Sequence, residues 1–180
     1  MRKPLLTLTA AAAALVAMAA PAAAAPTGDT IVTFTVATAD LNIRVPPSVN
    51  LGSAFPGGVL TGELGTVVVT DERAALNATW IVTVTASSFT TGGGTPEETI
   101  LPSLVEYWSG TETGRTGTGT LVPGQPTQAA AVSLSVPRTA FSKTSGSGDN
   151  TATWEPNIRI AVPATAVGGT YRGVITHSVA

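Results

Sequence analysis

The chain contains no cysteine. Disulfide bonds, thiolate metal sites and cysteine nucleophiles are therefore excluded, and so is a lipid-modified N-terminal cysteine. His177 is the single histidine, so a zinc site would lack most of the imidazole and thiolate ligands that it needs. Stability has to come from an apolar core and from the hydrogen bonds of the backbone.

Charge is also scarce. Charged residues make up 11% of the sequence, and the formal net charge is −2. The chain has no basic patch, which argues against a nucleic-acid partner. A surface with so few charges must be built from threonine, serine, asparagine and glycine, and this composition favours β-structure over helix.

Residues with the chemistry of an active site are few. A Ser-His-Asp arrangement would need His177, but no nucleophile-elbow motif accompanies it. Residues 145–150 contain one carboxylate, which is too few for a calcium loop. Two carboxylates from distant strands can still face each other across a cleft, so the sequence leaves a glycosidase open. We predict no catalytic residue, no metal site and no cofactor.

The N-terminus has the three parts of a secretory signal peptide. Arg2 and Lys3 supply positive charge, residues 5–20 form an alanine-rich apolar run, and Ala22 and Ala24 are the small pair before cleavage. The run is short for a membrane span. We therefore expect a helical signal peptide at residues 1–24, cleaved after Ala24, and no membrane span afterwards. The chain is then secreted, and is extracellular or associated with the cell wall.

The remainder, residues 25–180, is expected to form one domain. Apolar and polar residues alternate in short segments that glycine, proline, asparagine or aspartate residues separate, which is typical of half-buried strands. No helical stripe follows residue 25. The pattern predicts an all-β fold, an antiparallel β-sandwich of about nine short strands. The predicted strands are residues 30–36, 41–45, 49–55, 64–70, 78–88, 100–109, 129–136, 152–162 and 170–179.

Three tryptophans are the candidate binding residues: Trp80, Trp108 and Trp154. An indole face can stack on a sugar ring, but the same side chains can fill the core of a sandwich. Trp80 is central in its strand, which favours the core, whereas Trp108 and Trp154 lie near strand ends. Asp71 is expected to fix a turn by pairing with the backbone or with Arg73.

Two stretches resemble conserved blocks of WxL-domain proteins. Residues 64–73, LGTVVVTDER, followed by WIVTV at 80–84, resemble the block in which an Asp-x-Arg turn precedes a Trp-x-Leu strand. Residues 170–176, TYRGVIT, resemble the last strand of that family. Trp80 matches the first motif tryptophan and Val82 stands in place of leucine. The second motif tryptophan would fall near His177, with Val179 as its apolar partner.

The family comprises secreted proteins of Gram-positive bacteria, so the resemblance implies non-covalent attachment to the cell wall through peptidoglycan. We rank first a non-enzymatic surface protein that associates with cell-wall polymer or with other surface proteins. The alternatives are an assembly subunit that pairs through an edge strand, and a secreted carbohydrate-active enzyme. Exposed indoles on one face would favour a glycan platform, whereas buried indoles would leave a scaffold without a visible site.

Overall fold

The computed structural model describes Gly28 and residues 30–180. The predicted signal peptide lies outside these residues. Residues Thr35–Ala180 form one compact unit, and residues 30–34 lie outside it. The compact unit lies within the single domain that the sequence predicts at residues 25–180. Residues 30–34 form neither helix nor strand.

The protein is all-β, as the sequence predicts. The described residues contain fourteen strands and three single 3₁₀ turns, Pro96–Glu98, Pro102–Leu104 and Gln128–Ala130. No helix among them is long and apolar enough to cross a membrane. The strands are β1 (Leu41–Arg44), β2 (Val59–Glu63), β3 (Val67–Asp71), β4 (Trp80–Ala86), β5 (Phe89–Thr90), β6 (Thr99–Ile100), β7 (Val105–Trp108), β8 (Glu112–Thr116), β9 (Leu121–Pro123), β10 (Val132–Ser133), β11 (Arg138–Lys143), β12 (Asn150–Trp154), β13 (Asn157–Ala161) and β14 (Ile175–Val179).

All strand pairs are antiparallel, and they form four sheets. The first sheet has the order β1-β3-β12-β8, the second β10-β7-β13-β2 and the third β14-β4-β11-β9, while β5 and β6 form a separate pair. The first and second sheets are joined end to end. The ladder passes from Asn157 opposite Glu63, through the Leu64 N–H bond to the Pro156 carbonyl, to Trp154 opposite Val67.

These joined sheets form one layer, and the third sheet is the other. Buried side chains of both layers belong to a single core. Phe141 of β11 stacks on Trp154 of β12, with 4.8 Å between ring centroids. Alternation within each strand sends one row of side chains inward, as in β4, where Trp80, Val82 and Val84 are buried and Ile81 is exposed.

Two of the predicted strands are wrong. Residues 49–55 are not a strand because the Asn50 side chain accepts a hydrogen bond from Gly52 N–H, and Gly52 has a φ of +86°. This local turn interrupts the extended backbone. Residues 30–36 also form no strand, and their apolar side chains, including Val32, are exposed. Alternation gives a segment strand propensity, but a strand also needs a partner with which to form a ladder.

Candidate functional site

The three tryptophans lie in the interior. Trp80 of β4, Trp108 of β7 and Trp154 of β12 are 2%, 9% and 0% exposed. Stacking on a sugar ring requires an open indole face, and none of the three has one in this structure. The three tryptophans fill the interior, which is the second of the two roles that the sequence allows.

Asp71 and Arg73 form an ion pair at the end of β3. The carboxylate of Asp71, at the end of β3, is fully buried and accepts two hydrogen bonds from the Arg73 guanidinium, at 2.8 and 3.0 Å. The Arg73 guanidinium holds the pKa of that carboxyl below its usual range, although burial acts in the opposite direction. Arg73 also donates to the Thr79 carbonyl at 2.9 Å, which fixes the start of β4.

Asn150 connects this pair to Trp80. Its side-chain amide donates to Asp71 at 3.2 Å, and its carbonyl accepts from the Trp80 indole N–H at 3.0 Å. Asn150 is 3% exposed, so the whole connection is inside the protein. Asp71 and Trp80, which carry much of the resemblance to WxL-domain proteins, therefore belong to one buried hydrogen-bond network. The geometry gives them a structural role, and only Arg73 reaches the surface.

Lys143 is buried next to this network, opposite Trp80 in the β11–β4 ladder. Its ammonium group donates to the carbonyls of Ala78 and Ser145, at 2.7 and 2.8 Å. Burial lowers the pKa of Lys143, and the nearby Asp71 carboxylate opposes this effect. The two carbonyls hold the loop at 145–148 against the start of β4, so this lysine ties two elements together.

His177 forms the second polar contact, which is partly buried. Its Nε2 lies 3.1 Å from the Tyr107 hydroxyl, and the two rings are tilted with centroids 5.7 Å apart. Burial lowers the pKa of His177 to about 4. Burial also raises the pKa of Tyr107, an effect that the Trp154 side chain only partly offsets. At neutral pH the tyrosine is thus protonated and the imidazole neutral, and the tautomer of His177 decides which of the two groups donates.

A groove of about 810 Å³ opens beside His177. One side consists of residues 45–54, which follow β1, and the other consists of residues 166–177, which lead into β14. Its floor is apolar and comes mainly from the second sheet. Floor residues include Leu60, Leu64, Ile100, Ile158, Ile160 and Val162.

The chemistry of the groove is simple. The basic side chains in the lining of the groove are His177 and Arg172, and no aspartate or glutamate lines it. Several carboxylates in the described part of the chain are engaged elsewhere. Examples are Glu106 with Arg159, Glu112 with Arg115, and Glu98 with the turn at Thr95. Within the same residues no group of three His, Asp or Glu side chains could hold a metal ion.

The main chain at the groove is incompletely paired. Ala180 and Ile81 exchange both backbone hydrogen bonds between β14 and β4, at 3.0 and 2.9 Å. Alternation then turns the N–H and C=O groups of Ile175 and His177 away from β4. β14 is the edge of the third sheet, and no described strand pairs with it on that side. Residues 45–51, across the groove, make no backbone hydrogen bond to another part of the described chain.

Sequence reasoning missed this groove and two residues of the polar contacts, Asn150 and Tyr107. The groove joins three segments that are distant in sequence, and no motif marks it. In the sequence, Asn150 is recognisable only as the last residue of the glycine-rich stretch 145–150. The strand predicted at 170–179 contains β14, in which Ile175 is half-buried and lines the groove.

Comparisons with known proteins add little. No family model and no curated protein matches the chain. Among solved structures, a family 123 glycoside hydrolase from Clostridium perfringens, described for glycolipid glycan hydrolysis, matches with a TM-score of 0.37 and 20% identity. The match covers 71% of this chain but only 19% of that enzyme. A likeness of this degree carries no argument about function.

Proposed function

We propose that the protein is a secreted, non-enzymatic surface protein that associates non-covalently with the cell wall, through peptidoglycan, or with other surface proteins. The observation that supports this most is the groove beside β14. It combines an apolar floor with unpaired backbone groups at its rim. Such a surface suits an extended polypeptide, which can supply both hydrogen bonds and alternate side chains.

The chemistry of the groove also supports a binding role over an enzymatic one. Glycoside hydrolysis uses two carboxylic groups that face each other across the substrate. The lining of the groove carries none. The neutral His177 is bonded to Tyr107 instead of a serine or threonine hydroxyl. We therefore do not assign a reaction to this site.

Of the two kinds of partner, the groove favours a protein. Polysaccharide sites rely on exposed aromatic faces and polar side chains, and the three indoles are buried. The resemblance to WxL-domain proteins favours the wall polymer. Both partners are present in a crude wall preparation, and protease treatment separates them because it removes wall proteins and leaves peptidoglycan.

The test is co-sedimentation of the secreted protein with isolated Gram-positive cell walls, untreated and protease-treated, at low and moderate salt. We expect the protein in the pellet with untreated walls. Loss of binding after protease treatment identifies a surface-protein partner, whereas retention identifies the polymer. Recovery in the supernatant with both preparations would contradict the proposal.

Two matched variants locate the binding surface. Val174 lines the groove and is 62% exposed, and Val122 of β9 lies outside it and is 41% exposed. Because both side chains are exposed and neither belongs to the core, an aspartate at either position leaves the core intact. We expect Val174→Asp to weaken pelleting at least tenfold and Val122→Asp to leave it unchanged. Equal effects of the two substitutions would place the binding surface elsewhere.

A further inference from the structure

Residues 30–36 have the pattern of a strand but no partner. Their sequence, TIVTFTV, contains no charged residue, no glycine and no proline. In an extended conformation Val32, Phe34 and Val36 share one face. The structure leaves these three side chains 79%, 86% and 67% exposed. An exposed row of this kind is costly in water and marks an interaction site.

The groove offers what this segment lacks. The backbone groups of Ile175 and His177 point from the edge of β14 into it, and its floor is apolar. Added beside β14, the segment would gain a ladder of backbone hydrogen bonds, while its apolar face would meet the floor. Neither surface carries a carboxylate, so insertion of the segment buries no negative charge.

Residue 39, which follows the segment, and the groove lie at opposite ends of β1. Ala39 N–H bonds to the Glu72 carbonyl, and Glu72 N–H bonds to the Asp40 carbonyl, so the β1–β3 ladder begins at residue 39. The groove opens only after the other end of β1, at Val45. The six residues between these points span about 20 Å at ~3.4 Å per residue.

A reversal of the chain before β1 would have to occur at Ala37-Thr38. Two-residue hairpins need glycine, asparagine or aspartate at their centre, because the favoured turns require positive φ. Alanine and threonine do not meet this requirement. A second copy of the chain, by contrast, can present its segment to the groove in any orientation.

We propose that residues 30–36 of one copy insert into the groove of a second copy as an added strand beside β14, with Val32, Phe34 and Val36 facing the floor. The contact is heterologous, since a donor segment meets a groove and not another donor segment. It therefore leaves one free segment and one free groove at the ends, and the assembly can continue. This goes beyond the proposed surface association and requires neither the wall nor another protein.

The first experiment measures the mass of the purified secreted chain by light scattering over a range of concentrations. We expect masses above the monomer that increase with concentration. Phe34→Asp puts a charge on the inserted face and should give a monomer at every concentration. Thr33→Asp puts the same charge on the opposite face of the same segment and should assemble like the original chain.

Each other outcome overturns the proposal. A monomeric original chain at its highest soluble concentration excludes donation between copies. Monomers in which Phe34→Asp lowers the melting temperature indicate that the segment binds within its own molecule. Equal behaviour of Phe34→Asp and Thr33→Asp shows that the inserted face is not the one named here. Since the walls are absent, failure in this experiment is distinct from failure of the proposed surface association.

The absence of cysteine allows a direct second test. A Phe34→Cys chain is mixed with a chain that carries Val162→Cys or Val174→Cys in the groove, and a mild oxidant is added. A disulfide-linked heterodimer with either groove variant supports the proposal. The control partner carries Ser135→Cys in an exposed turn outside the groove. Cross-linking to the control as strong as to the groove variants, or no cross-linking to either groove variant, overturns it.

Discussion

At the scale of single residues, two polar contacts organise the interior, one buried and one partly buried. One is the network in which Asp71 joins Arg73 and, through Asn150, Trp80. The other is the Tyr107–His177 pair. A buried polar group is costly when its partner is removed, so each contact restricts the residue types that the fold accepts at these positions.

The Asp71–Arg73 pair leads to a first prediction. Arg73→Ala leaves a buried carboxylate without its cation, which destabilises proteins by about 3–5 kcal/mol. Arg115→Ala is the matched control, because both partners of the Arg115–Glu112 pair are at the surface, and such pairs contribute about 0–1 kcal/mol. Urea denaturation followed by tryptophan fluorescence measures both. Similar losses in the two variants would mean that Asp71 finds another partner when Arg73 is absent.

His177 gives a second prediction, on pH dependence. Burial lowers its pKa from 6.5 to about 4, so between these values the unfolded chain binds a proton that the folded chain does not. The stabilisation from the neutral imidazole is complete above pH 6.5 and is lost as the pH falls toward 4. At about 1.4 kcal/mol per pKa unit, the loss amounts to about 3 kcal/mol.

The chain has one histidine, which makes this dependence easy to assign. Unfolding free energies are measured at pH 7, 5.5 and 4.5 for the original chain and for His177→Gln, whose side chain does not titrate. We expect the slope to flatten in the variant. Asp71 does not interfere, because its pKa is lowered. The stabilisation from its carboxylate is present above pH 3.8 and is lost only as the pH falls below that value. An unchanged slope in His177→Gln would assign the dependence to carboxylates.

At the residue scale, contacts between neighbours in sequence could be predicted, whereas contacts between distant residues could not. The Asp71–Arg73 pair was predicted because the two residues are neighbours and the chemistry is local. Asn150 could not be found in the same way, since its role arises only when β12 pairs with β3 and places it opposite Asp71. His177 was recognised as a strand residue, but its partner Tyr107 is 70 positions away.

Strand detection at the scale of elements succeeded where alternation was regular. The strand predicted at 78–88 contains β4, and the one at 152–162 contains β13 and most of β12, which Glu155 and Pro156 separate. β11 was missed although it is central in the third sheet. The register of β11 against β4 shifts between Thr139 and Phe141, so Ala140 and Phe141 are both buried. A bulge of this kind breaks the period of two that reveals a strand.

Glycines at one loop crossing give a third prediction. Gly119 and Gly146 have positive φ, and a Cβ on Gly119 would collide with the backbone of Ser145. Gly119→Ala therefore adds overlap to backbone strain, and we expect a loss of about 3 kcal/mol. Gly94 also has positive φ but has open space around it, so Gly94→Ala should cost only about 1–2 kcal/mol.

Thermal denaturation of the two variants, compared with the original chain, separates overlap from strain. A larger drop in melting temperature for Gly119→Ala supports a close crossing of the 117–119 and 145–148 loops. If both alanines lower the melting temperature equally, the loops can move apart and the crossing does not constrain the fold.

The whole molecule depends on pairings between distant segments. β3 is bonded to β1 and β12, and β4 to β11 and β14, so the ends of the chain meet its centre. The sequence predicts the class of fold because alternation and composition are local properties. It does not predict strand order, because register is set by the complete set of facing side chains. The groove is a product of that order.

Donation of residues 30–36 leads to the last prediction, which concerns mixtures. A Phe34→Asp chain keeps an intact groove but cannot donate its segment. A Val174→Asp chain can donate, but carries a charge at the rim of its groove. Each variant alone should be a monomer by light scattering. Because one donor segment and one groove remain when the two are mixed, the mixture should form a heterodimer and nothing larger.

The outcome distinguishes donation from other kinds of association. A symmetric dimer would need an intact segment and an intact groove on both chains. Neither variant has both, so the two variants would stay monomeric in the mixture. Non-specific hydrophobic association would give a range of masses that does not stop at two chains. Thr33→Asp mixed with Val174→Asp serves as the control. The Thr33→Asp chain has an intact segment and an intact groove, so it should continue to form larger assemblies. A Val174→Asp chain can donate its segment to the free groove at one end of such an assembly. Its own groove accepts no donor, so the assembly stops growing at that end.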